Sequence, residues 1–322
     1  MNTDKVCSIT NPSLALIKYW GKRKRGYNIP ASTSIALSIG GLETRTAVSF
    51  STKDHVAING EVQDIARYAP FFTILRKHLK IEKFFSAESE NNFPTSAGLA
   101  SSSSGFAALA MACTRLAGYD MSPGELSEIA RYGSASAARS VFGGFVLFPA
   151  GAKRARQIYP PDYWPEIRII VALIVKGPKD ISSREAMKIS RDSSPFFQNW
   201  VASSRPLVQQ AVEALKDKDI EKLGKAMRLS YLRMHAVMLG GNPPVRYWLP
   251  DSIKAMRVCD NLRNQGIGAW ETMDAGPQVK ILCTADDADK IIQALETDIP
   301  GIEYLSAFPG KDPGAAAPEE KE

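Results

Sequence analysis

Four stretches, far apart along the chain, carry residue types spaced for chemistry. In the first, Asn91 to Gly105 reads NNFPTSAGLASSSSG and runs straight into FAALAMACTRLAG. Pro94, Ser96, Ala97, Gly98 and Ala100 are small enough to let backbone N–H groups close around an anion. The helix predicted to follow points its N-terminus at that loop, and Ser101 to Ser104 add hydroxyl donors, which together make a phosphate site. No GxxxxGK[ST] is present, so the loop is not a P-loop; a flexible Gly/Ser loop before a buried helix is the plainer reading of the string. In the second stretch, Lys22-Arg23-Lys24-Arg25 could hold a diphosphate by point charges and guanidinium forks, or form a solvated loop. In the third, Ser134, Ser136 and Arg139 stand at i, i+2 and i+5. In the first turn of a new helix, that spacing converges two hydroxyls and a guanidinium suited to a carboxylate. In the fourth, Asp274 ends a predicted strand beside Ala275-Gly276-Pro277, where small residues leave room for a ligand and an ordinary turn is the alternative.

These stretches need elements to hold them. VCSITNPSLALIKYW has strand character broken at Asn11-Pro12 and leads to Lys18, Tyr19 and Lys22 around Gly21. Residues 34–59 alternate and are rich in β-branched side chains, predicting antiparallel strands with turns at Gly40-Gly41 and Asn59-Gly60. ARYAPFFTILRKHLK has helical spacing with Tyr68, Phe71, Phe72 and Leu75 on one face and His78 toward solvent. The helix after the serine loop, about Ser102 to Ala117, is apolar all round and should be buried. Ser122-Pro123-Gly124-Glu125 signals a helix start, and that helix should end near Tyr132-Gly133. FGGFVLF and IRIIVALIV read as strands, with a domain boundary near Lys176 to Lys179. Two or three helices follow from Ser194 to Leu239, where His235 should pack rather than act as a base. Ser252 is predicted to cap a further helix, which stops at Gln265-Gly266, and then come strand, turn, strand and helix through GAWETMD, AGPQ, VKILC and ADKIIQALE. The tail after Pro309 is rich in Ala, Pro and Glu and is predicted to be disordered.

Bulk composition sets limits. With 322 residues and 44% apolar content the chain can bury a large core and is long enough for two domains. No run of about 18 apolar residues occurs, and the polar start MNTDKVCS does not resemble a signal peptide, so the cytoplasm is the expected location. Cys7, Cys113, Cys259 and Cys283 are scattered without a CxxC pair, against a disulfide framework or zinc cluster. Only His55, His78 and His235 are available for a metal site or triad. The net charge of +6 suits a polyanionic ligand. A basic nucleic-acid-binding module would need stacking aromatics among its charges, and only Trp20 and Tyr27 flank the basic run.

The order Pro-x-x-x-Gly-Leu-Ala-Ser-Ser (Pro94, Gly98, Leu99, Ala100, Ser101, Ser102) resembles the phosphate loop of the GHMP kinase superfamily. FPTSAGLASSSSGFAAL is similar to the mevalonate diphosphate decarboxylase family in particular. ALIKYWGK, GSASAARSVFGGF and TMDAGP resemble the same family, in its order, across residues 6 to 310. The resemblance implies an α+β fold, a GHMP-kinase-like two-domain sandwich with the active site in the cleft between domains. It divides the chain into an N-terminal domain (1–178) with the phosphate loop, a C-terminal domain (179–310) and a disordered tail (311–322). By the same resemblance, Asp274 is the acid–base residue acting on a C3 hydroxyl, and Lys18 lies beside it. Tyr19 and Lys22 line the mevalonate diphosphate pocket, Arg139 grips the C1 carboxylate, and Ser134 and Ser136 contact the substrate. Ser182 or Ser183, in ISSREAM, would touch the diphosphate. ATP would lie on Pro94, Ser96, Gly98, Leu99, Ala100, Ser101, Ser102 and Ser103, with Mg2+ bound through its phosphates. Mevalonate 5-diphosphate is the implied partner, a homodimer is one admissible assembly, and neither nucleic acid nor membrane is expected.

The chemistry so implied is internally consistent. A tertiary alcohol accepts a γ-phosphoryl group only if it is positioned and its proton has an acceptor. Phosphorylation makes the hydroxyl a leaving group, and loss of CO2 supplies electrons to form isopentenyl diphosphate, with ADP and phosphate as the other products. A decarboxylase acting on mevalonate 5-phosphate shares every step, whereas a 3-kinase without decarboxylation would lack the lysine–aspartate pair. The chain departs from the family pattern at Ser13 (usually Asn), Lys24 (Asp), Ser32-Thr33-Ser34 (Asn-Ser-Ser), Ala135 (Gly) and Gln278 (Asn), which bears on substrate choice more than on reaction type.

Overall fold

The structure is a computed structural model and describes residues 5–23, 27–94, 101–175 and 180–316. The chain opens with β1 (Val6–Thr10) and β2 (Ser13–Ile17), parted at Asn11-Pro12 as the sequence predicts, and continues into β3 (Ser34–Gly40). Next come β4 (Thr44–Ser51), β5 (His55–Ile58), β6 (Glu61–Val62), α1 (Ala69–Leu79) and β7 (Phe84–Asn91). After the serine loop follow α2 (Ser101–Leu116), α3 (Pro123–Gly133), β8 (Phe145–Phe148), β9 (Arg156–Tyr159) and β10 (Ile167–Leu173). Then come α4 (Ser183–Ser193), α5 (Phe197–Asp217), α6 (Ile220–Leu239) and α7 (Pro250–Asn264). The chain closes with β11 (Trp270–Thr272), β12 (Val279–Thr284), α8 (Ala285–Asp298), β13 (Glu303–Pro309) and β14 (Gly314–Ala316).

Local sequence explains many of these bounds. Ser122 and Glu125 form a reciprocal capping box with Pro123 in the first turn, so α3 starts where the serine is and ends at Gly133. On α1 the side chains of Phe71, Phe72 and Leu75 are buried while His78 is exposed. Ser252 does not cap α7: it sits inside the first turn, accepts from Leu249 N and donates to Pro277 O at 2.8 Å, tying the helix to the turn after β11.

The strands form two sheets. One runs β14-β1-β4-β7-β5-β6, the other β11-β12-β10-β13-β3-β8-β9 with β2 also on β3. Gly40-Gly41 is therefore not a hairpin turn. β3 pairs with β2, β8 and β13, whereas β4 pairs with β1 and β7, so the glycines carry the chain from one sheet to the other. The burial patterns give the reason: every residue of β3 is buried, whereas β4 alternates with one face inward. Asn59-Gly60 does turn a hairpin, between β5 and β6.

One core lies between the six-stranded sheet and α1, α2 and α3, with α2 central through Phe106, Leu109 and Met111. A second packs β2, β3 and β10 against α5 and α6 through Leu14, Leu37, Val171, Leu207 and Met227. A third covers the opposite face of β10 and β12 with α7 and α8. The segment after residue 310, predicted as a disordered tail, is ordered as far as it is described. β14 pairs antiparallel with β1, and Asp312 Oδ1 accepts from Gly143 N at 2.8 Å and Gln157 Nε2 at 2.9 Å, interactions that composition does not encode. The boundary expected at 176–179 and the tail residues 317–322 lie outside the described residues.

Candidate active site

The centre of the site is a carboxylate between two ammonium groups. Lys18 follows the end of β2 and is fully buried; its backbone N donates to Ser230 Oγ of α6 at 2.9 Å. Its Nζ donates to Ala15 O at 2.6 Å and to Asp274 Oδ1 at 2.8 Å. Asp274 stands in the turn between β11 and β12, where Gly276 takes φ +105° and a Cβ would meet Met273 Sδ and Tyr247 Cβ at under 3 Å. On its other side, Lys280 of β12 donates to Asp274 Oδ2 at 2.5 Å. His235 holds the backbone of the same residue, Nε2 to Asp274 O at 2.9 Å. Burial pushes that imidazole down to about 4, so at neutral pH it is uncharged and Nε2–H donates. The histidine packs against Tyr231 and Trp248, as the sequence predicts, with this bond in addition.

Burial alone would raise the Asp274 carboxyl, but the charges and hydrogen bonds of Lys18 and Lys280 outweigh it and hold the group well below the usual carboxylate range. Burial lowers Lys18 against the opposing pull of Asp274. Arg139 is buried within electrostatic reach of Asp274 and Tyr19; desolvation brings it down to about 10, still charged at neutral pH. Its Nη1 donates to Ser34 Oγ at 2.9 Å, while its Nε has no partner among the described residues. The buried Tyr19 hydroxyl is likewise unpartnered among them. Burial raises that phenol, with Arg139 and Arg184 opposing. Unpaired buried donors beside a surplus of cations are the donor set an anionic ligand would complete.

Ser134 and Ser136 come together, but on a four-residue 3₁₀ turn, Ala135–Ala138, that Arg139 follows, rather than on the first turn of an α-helix. The chain turns into Gly143-Gly144 and β8 immediately afterwards, which leaves no length for a helix. The two hydroxyls are 3.0 Å apart and half-buried. Lys22 donates to Asn28 Oδ1 at 2.5 Å, and Asn28 Nδ2 donates to Arg131 O and Tyr132 O at the end of α3. Burial, with Arg184 adding to it, lowers Lys22 to about 8. Trp20 Nε1 donates to Ser190 Oγ of α4 at 2.9 Å, and Trp200 Nε1 of α5 to Trp20 O at 3.0 Å, so both helices clamp this turn. Ser182 caps α4, accepting from Glu185 N at 3.2 Å, and is exposed; Ser183 opens the helix.

Of the expected nucleotide residues, Ser96, Gly98, Leu99 and Ala100 lie outside the described residues, as do Lys24 and Arg25 of the basic run. Pro94 precedes the loop. Ser101 and Ser102 open α2 and line a cavity of about 240 Å³ bordered also by Asn59, Gln63, Tyr68, Asn91 and Phe106. Ser103 is instead fully buried and accepts from Ser13 N at 3.3 Å, because successive helical side chains point about 100° apart. Gln278 reaches across to the end of β10: its Oε1 accepts from Ile174 N at 2.5 Å and its Nε2 donates to Val175 O at 2.6 Å.

Two family models match the chain, the diphosphomevalonate decarboxylase-like N-terminal domain over residues 10–158 and the mevalonate 5-diphosphate decarboxylase C-terminal domain over residues 169–321. The chain belongs to the diphosphomevalonate decarboxylase family. It is 34% identical to the diphosphomevalonate decarboxylase of Candida albicans, over 89% of this chain and 87% of that one. The mevalonate diphosphate decarboxylase of Staphylococcus aureus superposes with a TM-score of 0.92 at 32% identity, over 97% and 98% of the two chains. That of Enterococcus faecalis, described for mevalonate-diphosphate-mediated ATP binding, gives 0.90 at 34% over the same shares. A further neighbour, described as MDDEF in complex with MVAPP, AMPPCP and magnesium, gives 0.91 at 35%, again over 97% and 98%. The mixed helix and sheet architecture is the GHMP-kinase-like fold of this family. Within that frame the structure adds Lys280, Arg184, Asn28 and His235 to the residues expected from sequence. Lys280 had a readable signal, a lone charge inside the apolar strand VKILC; Arg184 stands beside the two expected serines.

Proposed function

We propose that this chain catalyses the ATP-dependent decarboxylation of mevalonate 5-diphosphate to isopentenyl diphosphate, ADP, phosphate and CO2, the activity for which its relatives are named. The observation that carries the assignment of roles is the Asp274 carboxylate fixed by Lys18 within reach of a buried, incompletely satisfied Arg139. Arg139 takes the C1 carboxylate, aided by Ser134 and Ser136. Tyr19, Lys22, Arg184 and the first turn of α4 at Ser182 and Ser183 take the diphosphate. The cavity beside Ser101 and Ser102 takes the nucleoside of ATP, with its phosphates toward the N-terminus of α2. Mg2+ would be carried on the nucleotide phosphates. When bound, Mg2+ would neutralise the charge on the phosphates.

Asp274 is a weak base because its two lysines stabilise the anion, yet that suits this transfer. Phosphoryl transfer has a loose transition state in which little proton removal precedes P–O bond formation. The C3 hydroxyl oxygen bonds to the γ-phosphorus, ADP leaves, and Asp274 receives the proton. The C3–O pair then departs with phosphate, and the C1–C2 pair becomes the C2=C3 double bond as CO2 leaves. A fixed carboxylate beside C3 also stabilises the positive charge that builds there. The site lies between the part up to residue 178 and the part from 179 to 310. A cytoplasmic location and a homodimer belong to the same proposal. Among the described residues no helix is long and apolar enough to cross a membrane.

The test is to incubate the protein with ATP and either mevalonate 5-diphosphate or mevalonate 5-phosphate and measure CO2 and phosphate. Equimolar release from the diphosphate is expected. Release from the monophosphate alone would reassign the substrate, and ADP without CO2 would reassign the enzyme as a kinase. Light scattering reads the assembly.

A further inference from the structure

Lys280 is hard to explain by folding. Its side chain is 2% exposed, and its strand neighbours Val279, Ile281 and Leu282 are all buried. Strand alternation puts Lys280 on the same face as Leu282, which belongs to the core against α5 and α6, while Val279, Ile281 and Cys283 face α7 and α8. Taking an ammonium out of water at such a place is unfavourable, and an apolar residue of similar volume is commonly neutral or better for stability. What the lysine does achieve is geometric. Asp274 Oδ1 is already held by Lys18, and Lys280 takes Oδ2. With each oxygen anchored to a different element, the carboxylate cannot rotate. Without the second anchor, the nearby guanidinium of Arg139, whose Nε is unpartnered among the described residues, becomes a competing partner.

We propose that Lys280 is a positioning residue of the decarboxylase. It locks the Asp274 carboxylate in one orientation, so that Asp274 meets the substrate hydroxyl and Arg139 stays available for the substrate carboxylate. The proposal rests on the roles of Asp274 and Arg139 given above. The groups facing Asp274 are Lys18 after β2, Lys280 of β12, Arg139 after the 3₁₀ turn and neutral His235 of α6.

Lys280→Met keeps the length of the chain and removes the charge, and Lys280→Arg keeps the charge. In Lys280→Met, kcat is expected to fall about 100-fold, the scale of an ångström of misplacement. The KM for ATP and the thermal midpoint should stay near those of the wild type. Lys280→Arg should recover most of kcat. Lys280→Met with full turnover overturns the proposal. So does a loss of turnover that tracks a lowered melting temperature and weakened nucleotide binding, with no rescue by arginine, since that marks a packing role. A wild-type chain that releases no CO2 overturns the roles of Asp274 and Arg139 and this proposal together; the Lys280 outcomes above overturn it alone.

Discussion

Two ion clusters lie three residues apart on one short segment, and they are built on opposite principles. Glu271, on β11, is fully buried and saturated. Its Oε1 accepts from Arg228 Nε at 2.5 Å and Tyr231 OH at 3.0 Å, and its Oε2 accepts from Arg263 Nη1 at 2.6 Å. Both arginines also reach Asp260 Oδ1, so two carboxylates meet two guanidiniums. Asp274, in the following turn, is one carboxylate among Lys18, Lys280 and Arg139, with the Arg139 Nε and the Tyr19 hydroxyl unpartnered among the described residues. The first cluster closes on itself and fastens α6 and α7 to the sheet. The second carries surplus positive charge in a low-dielectric place, which is favourable only when an anion arrives. Saturation separates scaffold from site here more sharply than burial does.

The contrast is broken most directly at Asp274. Asp274→Asn is expected to lower kcat by about 10²- to 10⁴-fold, the range for a positioned proton acceptor. Nucleotide affinity should stay intact, because the cavity beside Ser101 and Ser102 is formed elsewhere. Single-turnover assays paired with nucleotide titration check this, and near-normal turnover would remove Asp274 from the mechanism. Glu271→Gln should do the reverse. Removing the buried Glu271 charge from between its arginines is expected to cost about 3 kcal/mol and lower the thermal midpoint, while kcat per folded molecule holds. If Glu271→Gln instead stopped turnover at unchanged stability, saturation would not distinguish the two clusters.

A subtler test uses pH. Burial lowers Lys22 to about 8 in the free protein. A diphosphate favours the protonated ammonium, so binding tightens below that value and weakens as pH rises through it. Between pH 7 and pH 9 substrate affinity should fall about tenfold, one pH unit beyond the midpoint of a single titrating group. Lys22→Arg, which stays charged throughout, should flatten the profile in a calorimetric titration. The stability linkage has a definite sign. A lysine lowered in the folded state binds fewer protons there than when unfolded, so its cost to stability is present below about 8 and fades as pH rises to the ordinary lysine value.

Much of this was legible in the residue order, for identifiable reasons. Ser122 and Glu125 announce α3 because a cap is a local interaction, and the four motifs point to one site because each keeps its own residue types and spacing. Strand partners were not legible. Gly40-Gly41 looks like a hairpin turn, and only the packing of the two sheets shows that β3 and β4 part there. Within the site, Lys280 is an isolated charge whose meaning depends on Asp274 folding back beside it. Arg184 matters because α5 and α4 clamp Trp20, a contact made across about 170 residues of chain.

The C-terminal segment gives the smallest effect and the clearest view of that limit. Composition predicts disorder after residue 310, yet Gly310 O accepts from Gly144 N at 2.9 Å and Asp312 accepts from Gly143 N and Gln157 Nε2. A Cβ on Gly143 would lie 2.5 Å from backbone atoms of Lys311 and Asp312, so the strap and the glycine pair that follows Arg139 fit only each other. Asp312 is itself exposed, so Asp312→Ala should cost only about 1 kcal/mol, the scale of a lost hydrogen bond, with a modest rise in KM as the loop after Arg139 loosens. Ending the chain at residue 310 should cost more, because β14 also leaves β1 without its edge partner. If thermal midpoint and KM are both unchanged in Asp312→Ala, the strap merely lies along the sheet. A shift in KM without one in the midpoint would mean that it holds the arginine loop in place.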